Sequence, residues 1–418
     1  MTSTYSSKNI TINHLSTSTP SQTPIIKTDL TLLSMITNLP VDVLDNIIFP
    51  YFGDVVSESK STKEGTVDFL TTKEFLKSDS EHCYFVNFHI NRKMRMPRTL
   101  ISCYGIPKIT STTLGELFFG CTAFNGDISG WNTSSVINMF RMFTNCQSFN
   151  GDISKWNTSS VTNMTRMFSS CYKFNGDISK WNMSSVTNTT SMFYKCTAFN
   201  GDISGWNTSS VINMSEMFSS CYKFNGDISK WNTSSVTNMT RMFFGCTTFN
   251  GDISNWNMSS VIDMSNMFYK CMAFNGDISR WNTSSVINMS EMFSICYKFN
   301  GDISKWNTSS VTNMSRMFFG LKTFNSDISN WNMSSVIDTS GMFWGCYKFN
   351  GDISRWNMSS VTNTTNMFSN CIAFNGDISR WNMSRVINMS EMFSNCAVFN
   401  GDISRWNTSS VTNMSYVL

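Results

Sequence analysis

From Phe124 onward the apolar positions of this chain recur at one constant interval. Phe124 returns at each 25th position to Phe399, giving twelve copies. Trp131 returns in step to Trp406, and Asp127, Ile128 and Val136 have a counterpart in every copy. A period of this length marks a solenoid, in which each copy is one coil that buries its apolar side against its neighbours. A position common to all copies is called a slot and numbered by its place in the copy 124–148.

Within a coil the spacing predicts two elements. Met139, Met142, Phe143 and Cys146 fall at i, i+3, i+4 and i+7, one face of a short helix. Slot 138 is Asn in ten copies and Asp in two, Asp263 and Asp338. Both supply a short side-chain oxygen to a free N–H at a helix start, so the predicted helix covers about 138–146. Asn125-Gly126 reads as a turn, and slot 126, Gly in all copies but Ser326, suggests positive φ. Ile128 to Thr133 reads as a short strand with slots 131 and 133 on one face and slot 130 on the other. One coil cannot repay the entropy of ordering itself, and stacking supplies the ladder and the continuous core.

The segment "SSVTNMSxMFxxCxxFNGDISxWN" resembles the repeat of the BspA-like, leucine-rich-repeat-type bacterial surface proteins, including the Mycoplasma and Listeria lipoprotein repeats. The likeness covers about residues 121–418. It implies an LRR-like α/β repeat solenoid of about twelve coils and a role in adhesion or protein binding, and it implies no catalytic residue. The polar start, MTSTYSSKNITINHLSTSTPSQTP, has no apolar core of a secretory signal. In this the chain departs from the bacterial surface members.

Four regions follow. Residues 1–28 are Ser/Thr-rich and predicted disordered. Residues 29–100 are expected to form a small, mostly helical N-terminal domain, with more helix and a strand over 65–98. Leu117-Phe118 sit one period before Met142-Phe143, which makes 101–120 a degenerate capping coil before the array at 121–418. In the N-terminal region Leu39, Pro40, Val43, Leu44, Ile47 and Ile48 have helical apolar spacing with Pro at the helix start. They resemble the opening of an F-box, which docks on the Skp-type adaptor of cullin ubiquitin ligases. The plain alternative is a helical cap for the solenoid. The basic run Arg92-Lys93, Arg95 and Arg98 reads as a solvated face.

The repeated cysteines, eleven from Cys121 to Cys396, could suggest disulfides or metal, but Leu321 fills the slot in one coil. An odd total of 13 and the lack of a CxxC pair favour buried free thiols. Asp127 and its copies form an acidic column. Calcium would need six or more oxygens per ion, so a turn cap is the simpler reading. The cations of slot 130, Lys155, Lys180, Lys230, Arg280, Lys305, Arg355, Arg380 and Arg405, would neutralise that column. The Met slots fit ordinary core better than a copper path, because Thr189, Thr339 and Thr364 replace Met139. No cofactor or metal is expected. All three His lie outside the array, and no nucleophile adjoins a base, so no enzyme is predicted.

Slots 130, 140, 141, 147 and 148 vary between copies while core slots do not, and they mark the candidate partner-binding face. Besides the slot 130 cations it includes Tyr172, Tyr222, Tyr297 and Tyr347, each followed by Lys. Net charge of +3 gives no pointer to nucleic acid or an anionic membrane, and no apolar run is long enough for a membrane span. The array holds 21 N-glycosylation sequons, twelve at slot 132 and nine at slot 138. Glycans on the caps would obstruct stacking, which favours an intracellular location over a cell or virion surface. Val417-Leu418 occupy the Met-Phe slots without a polar cap, so the last coil is expected to fray or to self-associate end to end. The reading is a non-enzymatic protein-binding repeat scaffold. Its alternative is an F-box-type substrate receptor with the solenoid as its binding module.

Overall fold

In the computed structural model successive copies stack in register, each contributing the same side chains to one continuous core. The structure describes residues 55–62, 65–72, 82–84 and 89–417. The chain divides into two compact units, Met1–Phe52 and Gly53–Leu418, and every described residue belongs to the second. The F-box-like residues Leu39, Pro40, Val43, Leu44, Ile47 and Ile48 lie outside the described residues.

Where the N-terminal part is described it is built of strands, and the rest of 29–100, on which the expected helical domain also depends, lies outside the described residues. Among the described residues before the array there are seven strands and no helix. Strands β1 (Val55–Thr62) and β2 (Gly65–Thr72) pair antiparallel along their whole length, Thr62 facing Gly65. Val and Thr are frequent in both, and β-branched side chains favour the pleated backbone. Strands β3 (His82–Tyr84), β4 (His89–Ile90), β5 (Met94–Arg95), β6 (Ser102–Tyr104) and β7 (Lys108–Ile109) are short. β3 pairs β6, β4 pairs β7 and β2 pairs β5, all parallel. Parallel pairing at this sequence separation is already coil-on-coil stacking. It passes into the array where Thr113 bridges Asn138.

From there to Asn413 the inter-coil β contact is a single parallel bridge per coil, at slot 138. The rest of each coil is short turns joined by irregular chain. The predicted helix at 138–146 does not form. Met142, Thr144 and Cys146 donate their N–H groups back to the carbonyls of Met139, Arg141 and Phe143, three residues away. The alternate groups leave the coil: Met139, Arg141, Phe143 and Asn145 donate to Asn163, Thr165, Met167 and Ser169 of the next. A chain of three-residue turns returns side chains inward at the same i, i+3, i+4, i+7 spacing as a helix. The apolar pattern is common to both, and a helix this short has little stability of its own. Using half its N–H groups on the neighbouring coil is the better arrangement. The predicted strand is likewise two turns, Trp131 to Ile128 and Val136 to Thr133.

Slot 126 also differs from expectation. Its glycines do not adopt positive φ. They are needed for close approach: a Cβ on Gly201 would lie 3.2 Å from the Phe199 ring and 3.5 Å from the Gly176 carbonyl. Ser326 fits by donating its hydroxyl to Gly301 O at 3.0 Å.

The core is aromatic. Phe143 stacks on Phe149 of the adjoining turn at 4.2 Å and on Phe168 of the next coil at 5.6 Å. Phe149 lies 5.9 Å from Phe174, and Trp156 6.5 Å from Trp181. Each indole from Trp156 to Trp406 donates Nε1–H to an Ile carbonyl 28 residues earlier, as Trp231 does to Ile203 O at 3.0 Å. Burial weakens in the last coil, where Trp406 is 8% exposed, Met414 50% and Tyr416 79%.

Candidate functional site

Each coil turns twice through left-handed backbone, at slots 141 and 145. Arg141 has φ 55° and Asn145 φ 64°, and the equivalents in later coils repeat these values. Both are the third residue of an i to i+3 turn, the position where type II geometry requires positive φ. The segment between them points slots 139, 142, 143 and 146 inward, where they are buried. On the outer surface, slots 140, 141, 145 and 147 are exposed or half-buried in most coils, and slot 144 is half-buried where it is aromatic and buried in most coils where it is Ser or Thr. Because most of their N–H groups are used within the coil or on the next one, a partner at this surface meets side chains and not an open strand edge.

At the N-terminal end these slots enclose an open groove of about 490 Å³, lined by Phe119, Arg141, Arg166, Ser170, Tyr194 and Glu216 among others. The Arg166 side chain is exposed. Glu216 accepts from Ser191 Oγ at 2.8 Å and lies 3.8 Å from Arg241. Aromatic side chains at slot 144 pair along the surface: Phe244 stacks on Tyr269 at 4.6 Å, and Phe319 meets Trp344 edge-on at 4.7 Å. Cations lie over several of these rings, Lys195 over Tyr194 at 5.1 Å and Lys270 over Tyr269 at 5.2 Å.

The sequence-derived candidates fall into two settings. Tyr172, Tyr222, Tyr297 and Tyr347 are 40–50% exposed, and Tyr172 and Tyr222 lie within electrostatic reach of Lys195 at slot 145. The Tyr222 ring is 3.9 Å from where a Gly245 Cβ would sit, and Lys322 Nζ lies 5.4 Å from the Tyr347 ring centroid. The slot 130 cations Lys155, Lys180, Lys230, Arg280, Lys305, Arg355, Arg380 and Arg405 are exposed beside the acidic column instead. Their charges act on the Asp three residues before each.

Asp127 caps a turn, its Oδ1 accepting from Ser129 N–H at 2.9 Å. In the eleven copies from Asp152 to Asp402 the Ser N–H and hydroxyl two residues on hold the carboxyl below its ordinary value. Among the described residues no three His, Cys, Asp or Glu side chains converge as a metal site would require. Asn at slot 138 accepts from the slot 140 N–H, as Asn238 does from Thr240 at 2.9 Å. The capping role expected of it thus survives without a helix.

From Cys121 to Cys396 the cysteines of the array are free thiols, buried in all but the last. The slot 146 thiols point at carbonyls of a preceding coil, Cys146 Sγ lying 2.9 Å from Phe118 O. Burial pushes the Cys121 thiol up to about 12 and the less covered Cys396 to about 11.

One charged cluster runs against the sequence reading. Lys93 and Arg95 do not form a freely solvated face; they turn onto the carboxylate of Glu116, whose side chain is 1% exposed. Lys93 Nζ is 2.8 Å away, and Arg141 of the next coil approaches to 3.7 Å. Burial raises the Glu116 pKa, but the Lys93 and Arg95 hydrogen bonds outweigh it and hold the carboxyl below its ordinary value. The left-handed columns and the aromatic row also escaped the sequence reading. A signal for the charge coupling was present: Glu116, Glu216 and Glu291 are each followed one period later by Arg.

Among the described residues no helix is long and apolar enough to cross a membrane. No curated protein matches the chain significantly. Among solved structures the chain is similar to a leucine rich cell surface protein from Faecalibacterium prausnitzii, with 13% identity, TM-score 0.37, and coverage of 87% of this chain and 94% of that one. It is also similar to a leucine-rich repeat protein from Bacteroides ovatus, with 13% identity, TM-score 0.30, and coverage of 85% and 100%. A family model described as Mycoplasma protein of unknown function, DUF285, matches four overlapping stretches, residues 101–203, 176–277, 243–353 and 319–418. With the whole array matched, the chain belongs to the DUF285 repeat family.

Proposed function

We infer that this protein is a non-enzymatic scaffold that binds another protein through the outer side of its turn chain. One observation carries this. Core slots are nearly invariant and buried from coil to coil, while slots 141, 145 and 147, exposed or half-buried in most coils, change identity at almost every step. A single reaction centre would need one unusual coil. A surface that differs along its length suits recognition of an extended partner. Adhesion is one form the binding would take.

The test is site-specific photocrosslinking in the native source. A photoreactive phenylalanine at Tyr172 or Tyr222 should form covalent adducts with a discrete polypeptide. The same probe at Ser159, an exposed slot 134 residue away from the turn chain, should not. Adducts with no polypeptide at either tyrosine would sink the reading.

A further inference from the structure

The small net charge of the chain conceals a segregation that only the coil geometry reveals. Slots 140 to 148 of the array carry eleven cations, from Arg141 to Lys348, against three acids, Glu216, Glu291 and Glu391. Slots 125 to 132 carry the reverse, twelve Asp against eight cations. These two sets are distinct surfaces. The first borders the groove and the exposed tyrosines, and the second is the Asp-capped turn with its own Lys and Arg. The acidic column runs through all twelve coils, whereas the basic set ends at Lys348 and leaves the next two coils without a cation in these slots. A device for solubility would follow the repeat. A charge set confined to nine coils marks a site of finite length.

We propose that this basic face, from Arg141 to Lys348, binds an extended acidic polypeptide segment. The proposal rests on the protein-binding reading above and specifies its partner. At about 4.8 Å per coil, nine coils span roughly 43 Å, which an extended chain of about 13 residues covers. Most backbone N–H groups of the face are already paired, so carboxylates of the partner would be read chiefly by Arg and Lys side chains. Two features favour a polypeptide over single-stranded nucleic acid. Glu216 and Glu291 interrupt the cation row, which a polymer with a charge on every unit would meet as repulsion. The slot 144 rings are engaged with one another or covered by cations, as in the Phe244–Tyr269 pair and Lys195 over Tyr194, and the exposed Tyr172, Tyr222 and Tyr297 stand two or three coils apart, too far for a continuous stack of bases.

The experiment uses the full chain and a fluorescent glutamate–alanine peptide of about 14 residues, with its glutamine–alanine counterpart and a single-stranded oligothymidylate of about 20 nucleotides as comparison probes. Anisotropy should show binding of the acidic peptide alone, weakening as salt rises. The variant Arg166→Glu, Lys195→Glu, Lys223→Glu should lose at least about tenfold in affinity. The variant Lys155→Glu, Lys180→Glu, Lys230→Glu, with the same change of net charge on the other surface, should stay within about twofold. All six positions are exposed, and unchanged near-ultraviolet dichroism of both variants would show that the fold is kept. Equal weakening by the two variants would overturn the proposal in favour of net charge alone. Binding of the oligothymidylate but not the peptide would overturn it in favour of nucleic acid. If no probe binds while Tyr172 still crosslinks a polypeptide, the acidic partner falls and the protein-binding reading stands.

Discussion

At the residue scale, two backbone positions per coil set the turn chain, and both lie in the left-handed region. Most are Arg, Glu, Asn, Ser, Lys or Gly, but Ile295 adopts φ 60° with a β-branched side chain, the least suitable kind. Ile295→Asn is therefore expected to raise stability by about 1 kcal/mol, read as a higher denaturant midpoint. Glu116 gives a pH signature. Its carboxyl is held below its ordinary value in the folded chain, so its contribution is full above that ordinary value, near 4.3, and fades as pH falls through the folded one. Glu116→Gln should flatten this acid limb and cost about 2–3 kcal/mol at neutral pH, because Lys93 and Arg95 lose their counter-charge. The thiols give a third check. Only a thiolate attacks a maleimide, and Cys396 is the least buried of the slot 146 series, its pKa near 11 where that of Cys121 is near 12. Native labelling should reach Cys396 first and Cys146 to Cys371 only on unfolding. Buried free thiols were legible from Leu321 standing in their slot. The Glu116 cluster was legible only in its Arg141 partner one period on, because Lys93 and Arg95 precede the repeat and have no slot that would place them.

At the element scale, the solenoid, its period and its inward slots were all readable, since burial follows the repeat directly. The nature of the elements was not. Helices and stacked three-residue turns place apolar side chains at the same intervals, and Asn caps both. What separates them is where alternate N–H groups go, and that depends on a neighbour one coil ahead. The Phe columns show the energetic consequence. Phe218 stacks on Phe224 at 3.9 Å and on the Phe of the coils before and after at 5.7 and 5.8 Å, fully buried. Phe218→Ala should cost about 3–5 kcal/mol in chemical denaturation. Phe399→Ala should cost less than half of that, since Phe399 is only partly buried. Equal costs would mean that the coils do not stack as described.

At the scale of the whole chain, composition averages over surfaces that geometry keeps apart, which is why a net charge of +3 hid a basic face. The candidate site was legible in part. Variation between copies found slot 147, but slots 144 and 145 were read as helix surface or passed over. Slot 145 owes its place to left-handed backbone, and slot 144 to the turn that sets its larger side chains, the aromatic ones, half-buried at the rim. Side-chain bonds across the array reach from one coil to the next: Asn225 N–H to Asn200 Oδ1, Thr233 to Asn257, Trp231 to Ile203. Removal of one whole period, residues 226–250, should therefore leave a folded array with an unchanged spectrum and somewhat lower cooperativity.

The same short reach governs how the molecule bears load. Each coil is fastened to its neighbours by a ladder whose links are all alike and all local. Pulled from its two ends, such a stack has no long-range clasp that must fail first. It should peel in equal events, each freeing one period of chain and lengthening the tether by roughly 80 Å, the extended length of that segment less one coil spacing. The array is then an extensible spring whose travel grows with the number of coils.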